Sequence, residues 1–506
     1  MNPGRQVLLA ARFIKVCILS SSEDRPRAVI PIHPIPVEED GVMVSLYQAQ
    51  QKIHPRSVQG VFARWRWLMV VITQLVFYGL PWLEWGQRQA VLFDLGARRF
   101  YIFGLVLYPQ DFIYLTALLV ISALSLFLFT AVAGRLWCGF ACPQTVYTEI
   151  FIWIERQFEG DRSARMRLDD APWSLNKVGR KTGKQLAWIV FSLWTGFSFV
   201  GYFTPIRELS ASVLSLGFGP WEIFWILFYS FATYGNAGFM REQVCKYMCP
   251  YARFQSAMFD KDTLIVTYDE ARGEPRGPRS KKADPKALGL GSCVDCTLCV
   301  QVCPTGIDIR KGLQYECIGC GACVDVCDNV MDKVGYDRGL IKFSTQNAMD
   351  QGWSWAQTVR RIFRPRVLIY TAVLWSIIIG VCVSLWLREP FKVDIVRDRA
   401  TMARIVSGGK IENVYRLQIM NAAEETLSFH LQVEGLPGLL LASESAVQVN
   451  ATESRWVSVQ LQVPYDAAPS GSHPIQFHIE ARKPFASTDE PNVGHLREKT
   501  VFLIPR

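Results

Sequence analysis

The sequence predicts a polytopic α-helical membrane protein of about five spans, with an inserted α+β ferredoxin-like domain and a C-terminal all-β domain of immunoglobulin type. Three observations predict this fold class. The chain has 506 residues, 50% of them hydrophobic, and the apolar residues gather in five stretches. Eight of the fourteen cysteines lie between Cys293 and Cys327. Short alternating runs of polar and apolar residues fill the C-terminal part.

The five apolar stretches approach the length of about 20 residues that a helix needs to cross a bilayer. Trp and Tyr cluster at several of their ends, as in the aromatic belts of membrane interfaces. The alternative is a large soluble protein with buried helices, and five long apolar runs argue against it. The predicted spans are Trp67–Trp82, Phe112–Val132, Leu186–Phe203, Trp221–Tyr234 and Arg366–Leu387.

Basic residues favour one orientation of these spans. Residues 155–185 carry eight Arg and Lys residues, whereas the loop between spans three and four offers only Arg207. The positive-inside rule then places the N-terminus and the ferredoxin in the cytoplasm and the C-terminal domain in the periplasm. The predicted location is the bacterial inner (cytoplasmic) membrane, with several spans. Arg88, Arg98 and Arg99 on the outer side weaken this prediction slightly.

The predicted domains are 1–64, a cytoplasmic N-terminal segment; 65–265, spans one to four; 266–362, the linker and ferredoxin; 363–390, the fifth span; and 391–506, the periplasmic domain.

The eight clustered cysteines form two runs with the spacing C-x2-C-x2-C-x3-C. This is the bacterial-type two-cluster ferredoxin pattern for two [4Fe–4S] clusters, in which the fourth cysteine of each run binds the other cluster. Zinc ribbons need only two C-x2-C pairs, and disulfides are rare in a reducing compartment. Asp328 stands where the pattern has a second proline, and we expect it to loosen a turn. Cluster one is predicted to be held by Cys293, Cys296, Cys299 and Cys327, and cluster two by Cys317, Cys320, Cys323 and Cys303.

A second cysteine motif, C-x3-C-P, occurs twice: at Cys138 and Cys142, and at Cys245 and Cys249. Because proline suits the first turn of a helix, a new helix is predicted to begin at each proline. A thiol at a helix N-terminus is expected to ionise readily, and thiolates are soft ligands for Cu(I) or iron–sulfur centres. The alternative is that these are small buried residues closing helix ends. Two pairs with identical spacing favour a metal or redox role, but the spacing does not tell whether the four thiols meet.

The histidines exclude one mechanism. None of the six lies between residues 55 and 429, so a transmembrane haem with histidine ligands from this chain is excluded. In the C-terminal domain, His473, His478 and His495 are better explained as solvated surface residues than as metal ligands.

The formal charge of +9 is explained by basic loops facing anionic lipid, so nucleic-acid binding is not predicted. The basic segment Arg272–Lys286, with Gly and Pro interleaved, is expected to be a solvated tether.

The C-terminal part shows the spacing of a β-sandwich. Alternating runs are separated by turn signals such as Gly435-Leu-Pro-Gly438, as in an immunoglobulin-like domain. The runs are Tyr415–Met420, Thr426–Val433, Trp456–Val463 and Ile475–Glu480.

Nearly the whole chain resembles the CcoG/FixG/RdxA family of accessory proteins for assembly of cbb-type cytochrome c oxidases. The resemblance is carried by Lys52-Ile-His-Pro55 with Gly60, both C-x3-C-P motifs, the segment from Tyr268 to Gly277, the double ferredoxin and the β-rich tail. It implies a cupric reductase that takes cytoplasmic electrons through its clusters and reduces Cu(II) to Cu(I). The catalytic, copper-binding cysteines would then be Cys138, Cys142, Cys245 and Cys249.

The resemblance also implies partners: a cytoplasmic electron donor that the sequence does not identify, a copper-transporting ATPase or copper chaperone, and assembly factors of the cbb-type oxidase. A homodimer is left open. Two alternatives remain at this point. One is a quinol-linked electron carrier like the NapH-type polyferredoxins, and the other is a non-enzymatic scaffold for oxidase assembly.

Overall fold

The computed structural model describes residues 52–215, 217–279, 288–398, 403–484 and 492–505. Most of the predicted N-terminal segment 1–64 therefore lies outside the described residues. Every element below belongs to the compact unit Ile53–Arg506.

Among the described residues, three helices are long and apolar enough to cross a membrane, and a fourth span is added if one bent pair is counted. The three are Val61–Trp82, Pro109–Ala133 and Pro365–Trp386, and the bent pair is Ile206–Ser215 with Pro220–Met240. The third predicted span, Leu186–Phe203, overlaps the helix Leu175–Val200 and extends three residues beyond its end, and this helix does not meet the same test of length and hydropathy. Five spans are therefore not confirmed.

Proline or a polar N-cap residue begins most helices of the described residues, including the two predicted to start at Pro143 and Pro250. The helices are α1 Val61–Gly79, α2 Phe112–Ala133, α3 Leu136–Phe140, α4 Pro143–Glu159, α5 Arg162–Asp170, α6 Leu175–Val200, α7 Ile206–Ser215, α8 Pro220–Thr233, α9 Pro250–Met258, α10 Glu270–Gly273, α11 Leu298–Gln301, α12 Ala322–Val334, α13 Gln346–Gln351, α14 Trp355–Arg360 and α15 Pro365–Trp386. Short 3₁₀ turns occur at Leu80–Trp82, Pro109–Asp111, Ile309–Lys311 and Arg361–Phe363, and π-helical turns at Tyr234–Met240 and Val244–Met248.

Strands occur in three regions. The loop between α1 and α2 contains β1 Glu84–Trp85, β2 Arg88–Gln89, β3 Val91–Asp94, β4 Arg99–Ile102 and β5 Leu105–Leu107; the ferredoxin contains β6 Ile265–Tyr268 and β7 Ile341–Ser344. The C-terminal domain contains β8 Phe391–Arg397, β9 Arg404–Val406, β10 Lys410–Asn421, β11 Leu427–Glu434, β12 Leu440–Leu441, β13 Ala446–Val449, β14 Ser454–Pro464, β15 Gly471–Arg482 and β16 Gly494–Ile504.

The C-terminal strands form a sandwich of two antiparallel sheets, as expected of an immunoglobulin-like domain. One sheet has the order β12-β14-β10-β8, with β9 also paired to β10, and the other has the order β13-β11-β15-β16. Alternate residues of β10 and β15, such as Leu417 and Phe477, are fully buried between the sheets. The four predicted strand segments coincide with β10, β11, β14 and β15.

The ferredoxin domain packs directly on the start of α1. Asp325 of α12 accepts hydrogen bonds from the backbone nitrogens of Phe62 and Ala63, at 3.1 and 2.7 Å. It thereby caps two of the free N–H groups that begin every helix. A Cβ on Gly60 would lie 2.3 Å from Asp325 Cγ, so only glycine fits there.

The immunoglobulin-like domain is anchored to the loop between α1 and α2 by a buried ion cluster. Asp111, only 4% exposed, lies 2.7 Å from Arg388 Nη2 and 2.5 Å from Lys392 Nζ. Beside this cluster, Tyr108 donates a hydrogen bond to the Asn421 carbonyl at 2.8 Å.

Replacing Asp111 by asparagine should destabilise this docking by about 2 kcal/mol, because two cations lose the charge that compensates their burial. Limited proteolysis should cut the connection between α15 and β8 faster than in the wild type. A matched control is Glu424→Gln, since Glu424 pairs with Arg88 of the same loop but is about half exposed. Equal cutting rates for Asp111→Asn and wild type would contradict the prediction.

Candidate metal centres

The first cysteine cavity contains the ligand set predicted for cluster one. Two ligands lie in the loop before α11, one lies on α11 and the fourth comes from α12, as the crossing pattern requires. Tyr268 of β6 and Arg310 also line the cavity. The four thiols in its wall are those of Cys293, Cys296, Cys299 and Cys327.

The second cavity is lined by Cys303, Cys317, Cys320 and Cys323, which is the set predicted for cluster two. Cys299 borders both cavities, so the two centres are immediate neighbours. Burial raises the pKa of the Cys317 thiol to about 12 and that of Cys323 well above its usual value. A cysteine binds iron as a thiolate, and burial disfavours the thiolate form here. A bound cationic centre must therefore supply the stabilisation of the thiolates that the protein does not.

These donor sets fit clusters better than single ions. Over the described ranges, no three Cys, His, Asp or Glu side chains converge so as to hold one metal ion. In a [4Fe–4S] cluster each thiolate binds a different iron, so thiols spread around a cavity are the arrangement expected. When bound, such clusters supply transfer of one electron at a time.

Asp328 does not form a turn, contrary to the sequence-based expectation. It continues α12 beyond Cys327, and its Oδ1 accepts a hydrogen bond from the Gly339 nitrogen at 2.9 Å. A proline there would remove a backbone donor inside the helix.

The segment from Tyr268 to Arg279 is part of the cluster-one site. The described part of the predicted tether is exposed at residues 274–276 and 278, as expected, but it is fixed to the site at the buried Gly273 and Gly277 and is not a free tether. The Cys293 nitrogen donates to the Gly273 carbonyl, and the Gly277 nitrogen donates to the Cys293 carbonyl, both at 3.3 Å. A Cβ on Gly273 would lie 2.1 Å from the Tyr268 hydroxyl. The basic residues of this segment led to the prediction of an exposed tether. Its glycines, which allow the backbone to pack closely on the cluster-one loop, were the sequence signal that could have indicated the site.

The structure brings the two C-x3-C-P motifs together. Cys142 and Cys249 are close enough to Cys138 for their charges to raise its pKa, and the other three thiols all act on Cys245. All four are partly buried. We call Cys138, Cys142, Cys245 and Cys249 the cysteine quartet.

The helix starts in both motifs were predicted correctly. Pro143 begins α4 and Pro250 begins α9, so Cys142 and Cys249 are N-cap residues. The expected ease of ionisation is wrong for the thiols with a resolved shift. Burial raises the pKa of Cys138 to about 11 and that of Cys245 to about 12, because desolvation outweighs the nearby positive charge of Arg135.

Gln255 is a site residue that sequence reasoning missed. Its side chain is fully buried on α9 and lies 3.4 Å from Cys138 Sγ through Nε2. Gln255 thereby links α9, which follows the second C-x3-C-P motif, to Cys138 of the first motif. A single glutamine carries no motif signal, so only the fold could identify it.

The cysteine quartet lies against cluster two. A Cβ on Gly139, next to Cys138, would lie 2.8 Å from the Cys320 backbone and from the Ile318 carbonyl oxygen. Arg135, at the start of α3, links this helix to the loop before Cys317 and to α9. It donates to the Tyr315 carbonyl and, at 2.5 Å, to the Ala252 carbonyl of α9. Cluster two is therefore the centre next to the quartet, and cluster one, with the exposed Cys296, is the outer one.

Fold and site together define a class: a two-cluster ferredoxin joined to apolar helices that carry a further thiol centre, with an immunoglobulin-like domain at the C-terminus. Three family profiles match this division. They are described as "4Fe-4S dicluster domain" over residues 240–346, "4Fe-4S binding domain" over residues 115–159, and "IG-like fold at C-terminal of FixG" over residues 381–505.

Curated relatives match most of the chain. The nitrogen fixation protein FixG of Rhizobium meliloti is 40% identical, over 78% of this chain and 81% of its own. Protein RdxB of Cereibacter sphaeroides is 40% identical over 81% and 88%, and protein RdxA of the same organism is 38% identical over 85% and 92%. The chain belongs to the FixG/RdxA family of iron–sulfur proteins.

A crystal structure of a FixG-related protein from Vibrio parahaemolyticus matches 23% of this chain and 97% of its own, at 20% identity. Its TM-score of 0.20 is too low to support an argument.

Proposed function

We propose that this protein is a membrane-bound oxidoreductase that reduces Cu(II) to Cu(I) for the assembly of cbb-type cytochrome c oxidase. The observation that carries the proposal is the close packing of the cysteine quartet on the loop of cluster two. An electron that reaches cluster two is then next to four thiols that suit the product ion. Soft thiolate ligands favour Cu(I), so the quartet stabilises copper after it has gained the electron.

The proposed electron path has one direction. A cytoplasmic donor would dock near the exposed Cys296, beside the cysteines that would hold cluster one, and the two clusters, when bound, would supply one-electron transfer towards the quartet. Each electron converts one Cu(II) to Cu(I) at the quartet, with copper as the substrate. Because the side chains do not already converge on one point, copper capture requires rotation of at least one cysteine side chain.

The proposed orientation in the membrane is inferred from the distribution of basic residues. The ferredoxin faces the cytoplasm, the immunoglobulin-like domain faces the periplasm, and the helices cross the inner membrane. Cu(I) leaves the quartet for a copper-transporting ATPase or a copper chaperone, which supplies the oxidase. The immunoglobulin-like domain is the surface offered to oxidase assembly factors.

Replacing Cys138 and Cys142 by serine is expected to abolish copper reduction, because serine is a poor ligand for Cu(I). The protein is purified anaerobically, reduced, mixed with Cu(II) and assayed with a Cu(I)-specific chelator. The electron paramagnetic resonance (EPR) spectrum of the ferredoxin clusters should remain. The control is Cys382→Ser, an exposed cysteine on α15 outside all three thiol sites. Copper reduction at the wild-type rate in the double variant would show that the quartet is not the site.

A further inference from the structure

A cavity with a basic wall lies where the chain leaves the ferredoxin domain and begins α15, which is long and apolar enough to cross a membrane. Its volume is about 440 Å³. We call it the arginine pocket, and the proposed copper reduction does not use it. Its wall includes no acidic residue of the described chain, and it contains the side chains of Trp353, Gln357, Arg360, Arg361, Phe363 and Arg364.

The arginine pocket carries more positive charge than the fold neutralises. Arg364 pairs with Asp260, with 3.0 Å between Nη2 and Oδ2. Among the residues that the structure describes, no carboxylate pairs with Arg360 or Arg361, and both are exposed. The guanidinium carbon of Arg361 lies 5.2 Å from the centre of the Trp353 ring instead. Two guanidinium groups are therefore available to an anion, and their planar donor geometry suits phosphate.

The base of the pocket is fixed in place by Arg364. Its side chain is only 9% exposed. It donates to the Ala131 carbonyl at the end of α2, at 2.6 Å, and to the Asp262 carbonyl just before β6, at 2.9 Å. The arginine pocket is therefore built on a buried residue that joins two apolar helices to the ferredoxin domain, and it is more than a patch of surface arginines.

An exposed apolar face adjoins the arginine pocket. Trp355 and Val359 of α14 and Phe363 of the 3₁₀ turn that follows are 64%, 36% and 69% exposed. They recur at every fourth residue, which is the spacing of one helix face, and Arg360 and Arg361 lie between them in the sequence. A helical segment with this division lies in a membrane interface, with its apolar side chains among the acyl chains and its basic side chains at the headgroups.

We propose that the arginine pocket binds the phosphate of an anionic phospholipid such as phosphatidylglycerol, in the leaflet where α15 begins. Arg360 and Arg361 would hold the phosphate, while Trp355 and Phe363 would lie among the acyl chains. A free phosphate ion or an acidic protein segment would match the arginines but would make no use of the exposed apolar face. The bound lipid would brace the connection between the ferredoxin domain and α15. This site depends neither on copper nor on the cysteine quartet.

The test uses the full-length protein in detergent micelles, titrated with dioleoyl-phosphatidylglycerol or dioleoyl-phosphatidylcholine and followed by native mass spectrometry. The two lipids have the same acyl chains and differ in net charge. One saturable site is expected, with affinity about tenfold higher for phosphatidylglycerol. Replacing Arg360 and Arg361 together by glutamine should weaken phosphatidylglycerol binding about tenfold and remove the preference. The matched control replaces Arg167 and Arg180, two exposed arginines of α5 and α6 outside the pocket, by glutamine and should leave both affinities unchanged.

A further variant tests the apolar face. Replacing Trp355 and Phe363 together by serine should weaken both lipids alike, because it removes exposed apolar area and no charge. The iron content reports whether each variant has folded. The proposal is overturned if phosphatidylglycerol shows no saturable site, if the serine variant binds both lipids as tightly as the wild type, or if the two arginine variants lose affinity equally. Displacement of the lipid by inorganic phosphate in large excess would also overturn it, since the pocket would then be a site for the free ion.

Discussion

Replacing Glu155 by alanine is expected to lower the free energy of unfolding by about 3–5 kcal/mol, because three buried cations lose their shared carboxylate. The side chain of Glu155 on α4 is fully buried. Its Oε2 lies 2.9 Å from Arg165 Nη1 and 3.0 Å from Arg241 Nη2, and its Oε1 lies 3.7 Å from Lys184 Nζ. One carboxylate therefore joins α4, α5, α6 and the turn after α8.

The same network holds the segment that leads into α1. Arg165 also donates to the Pro55 carbonyl, and the Arg56 nitrogen donates to the Gln301 carbonyl of the ferredoxin at 2.9 Å. Loss of the Glu155 charge should therefore loosen the ferredoxin as well as the helix bundle.

Thermal unfolding in nanodiscs, followed by tryptophan fluorescence and by iron–sulfur absorbance, measures both effects of Glu155→Ala. Glu155→Gln, which keeps the shape and one acceptor, should give an intermediate midpoint. The control Asp332→Asn breaks an exposed pair with Arg338 and should leave the midpoint unchanged. If Glu155→Ala unfolded at the wild-type midpoint, the buried cluster would not stabilise the fold.

Local patterns were sufficient for the sandwich strands, for the starts of α4 and α9 and for the two sets of cysteines that line the cavities. Each depends on spacing within a few residues: C-x2-C for a cluster loop, alternation for a strand, and Pro143 or Pro250 for a first helical turn. The meeting of the cysteine quartet was not predictable, because Cys138 and Cys245 are far apart in the sequence and only the tertiary fold brings them together, as the contact of Cys138 with Gln255 of α9 shows. For the same reason the sequence left open which cluster lies next to the two C-x3-C-P motifs.

The count of five spans is not confirmed, for a different physical reason. The basic residues of 155–185 were used only as markers of orientation, yet Arg165 and Lys184 are buried in ion pairs with Glu155 and Glu159. The charged start of α6 is thus part of the packed bundle. Hydropathy alone cannot separate a membrane helix from one that continues into a buried polar network.

Replacing Gly139 by alanine is expected to separate the cysteine quartet from cluster two. The added Cβ would lie 2.8 Å from backbone atoms of Cys320 and Ile318, which cannot rotate away as a side chain could. Across the same contact, a Cβ on Gly319 would lie 3.2 Å from the Arg135 backbone. Overpacking of this kind costs about 1–3 kcal/mol, and the simplest relief is to move α3 away from the cluster loop.

Because electron transfer depends on this contact in the proposed mechanism, Gly139→Ala should slow single-turnover copper reduction while both ferredoxin clusters still accept electrons and keep their EPR signals. A second readout does not involve copper: amide hydrogen exchange in residues 317–321 should become faster as the loop loses its neighbour. Gly179→Ala is the matched control, since a Cβ there meets no atom within 4 Å and the substitution only favours the helix. If amide hydrogen exchange in residues 317–321 were unchanged in Gly139→Ala, α3 and the loop of cluster two would have accommodated the added methyl group without moving apart. If exchange accelerated but copper reduction kept its rate, electrons would leave cluster two by a path that does not cross this contact.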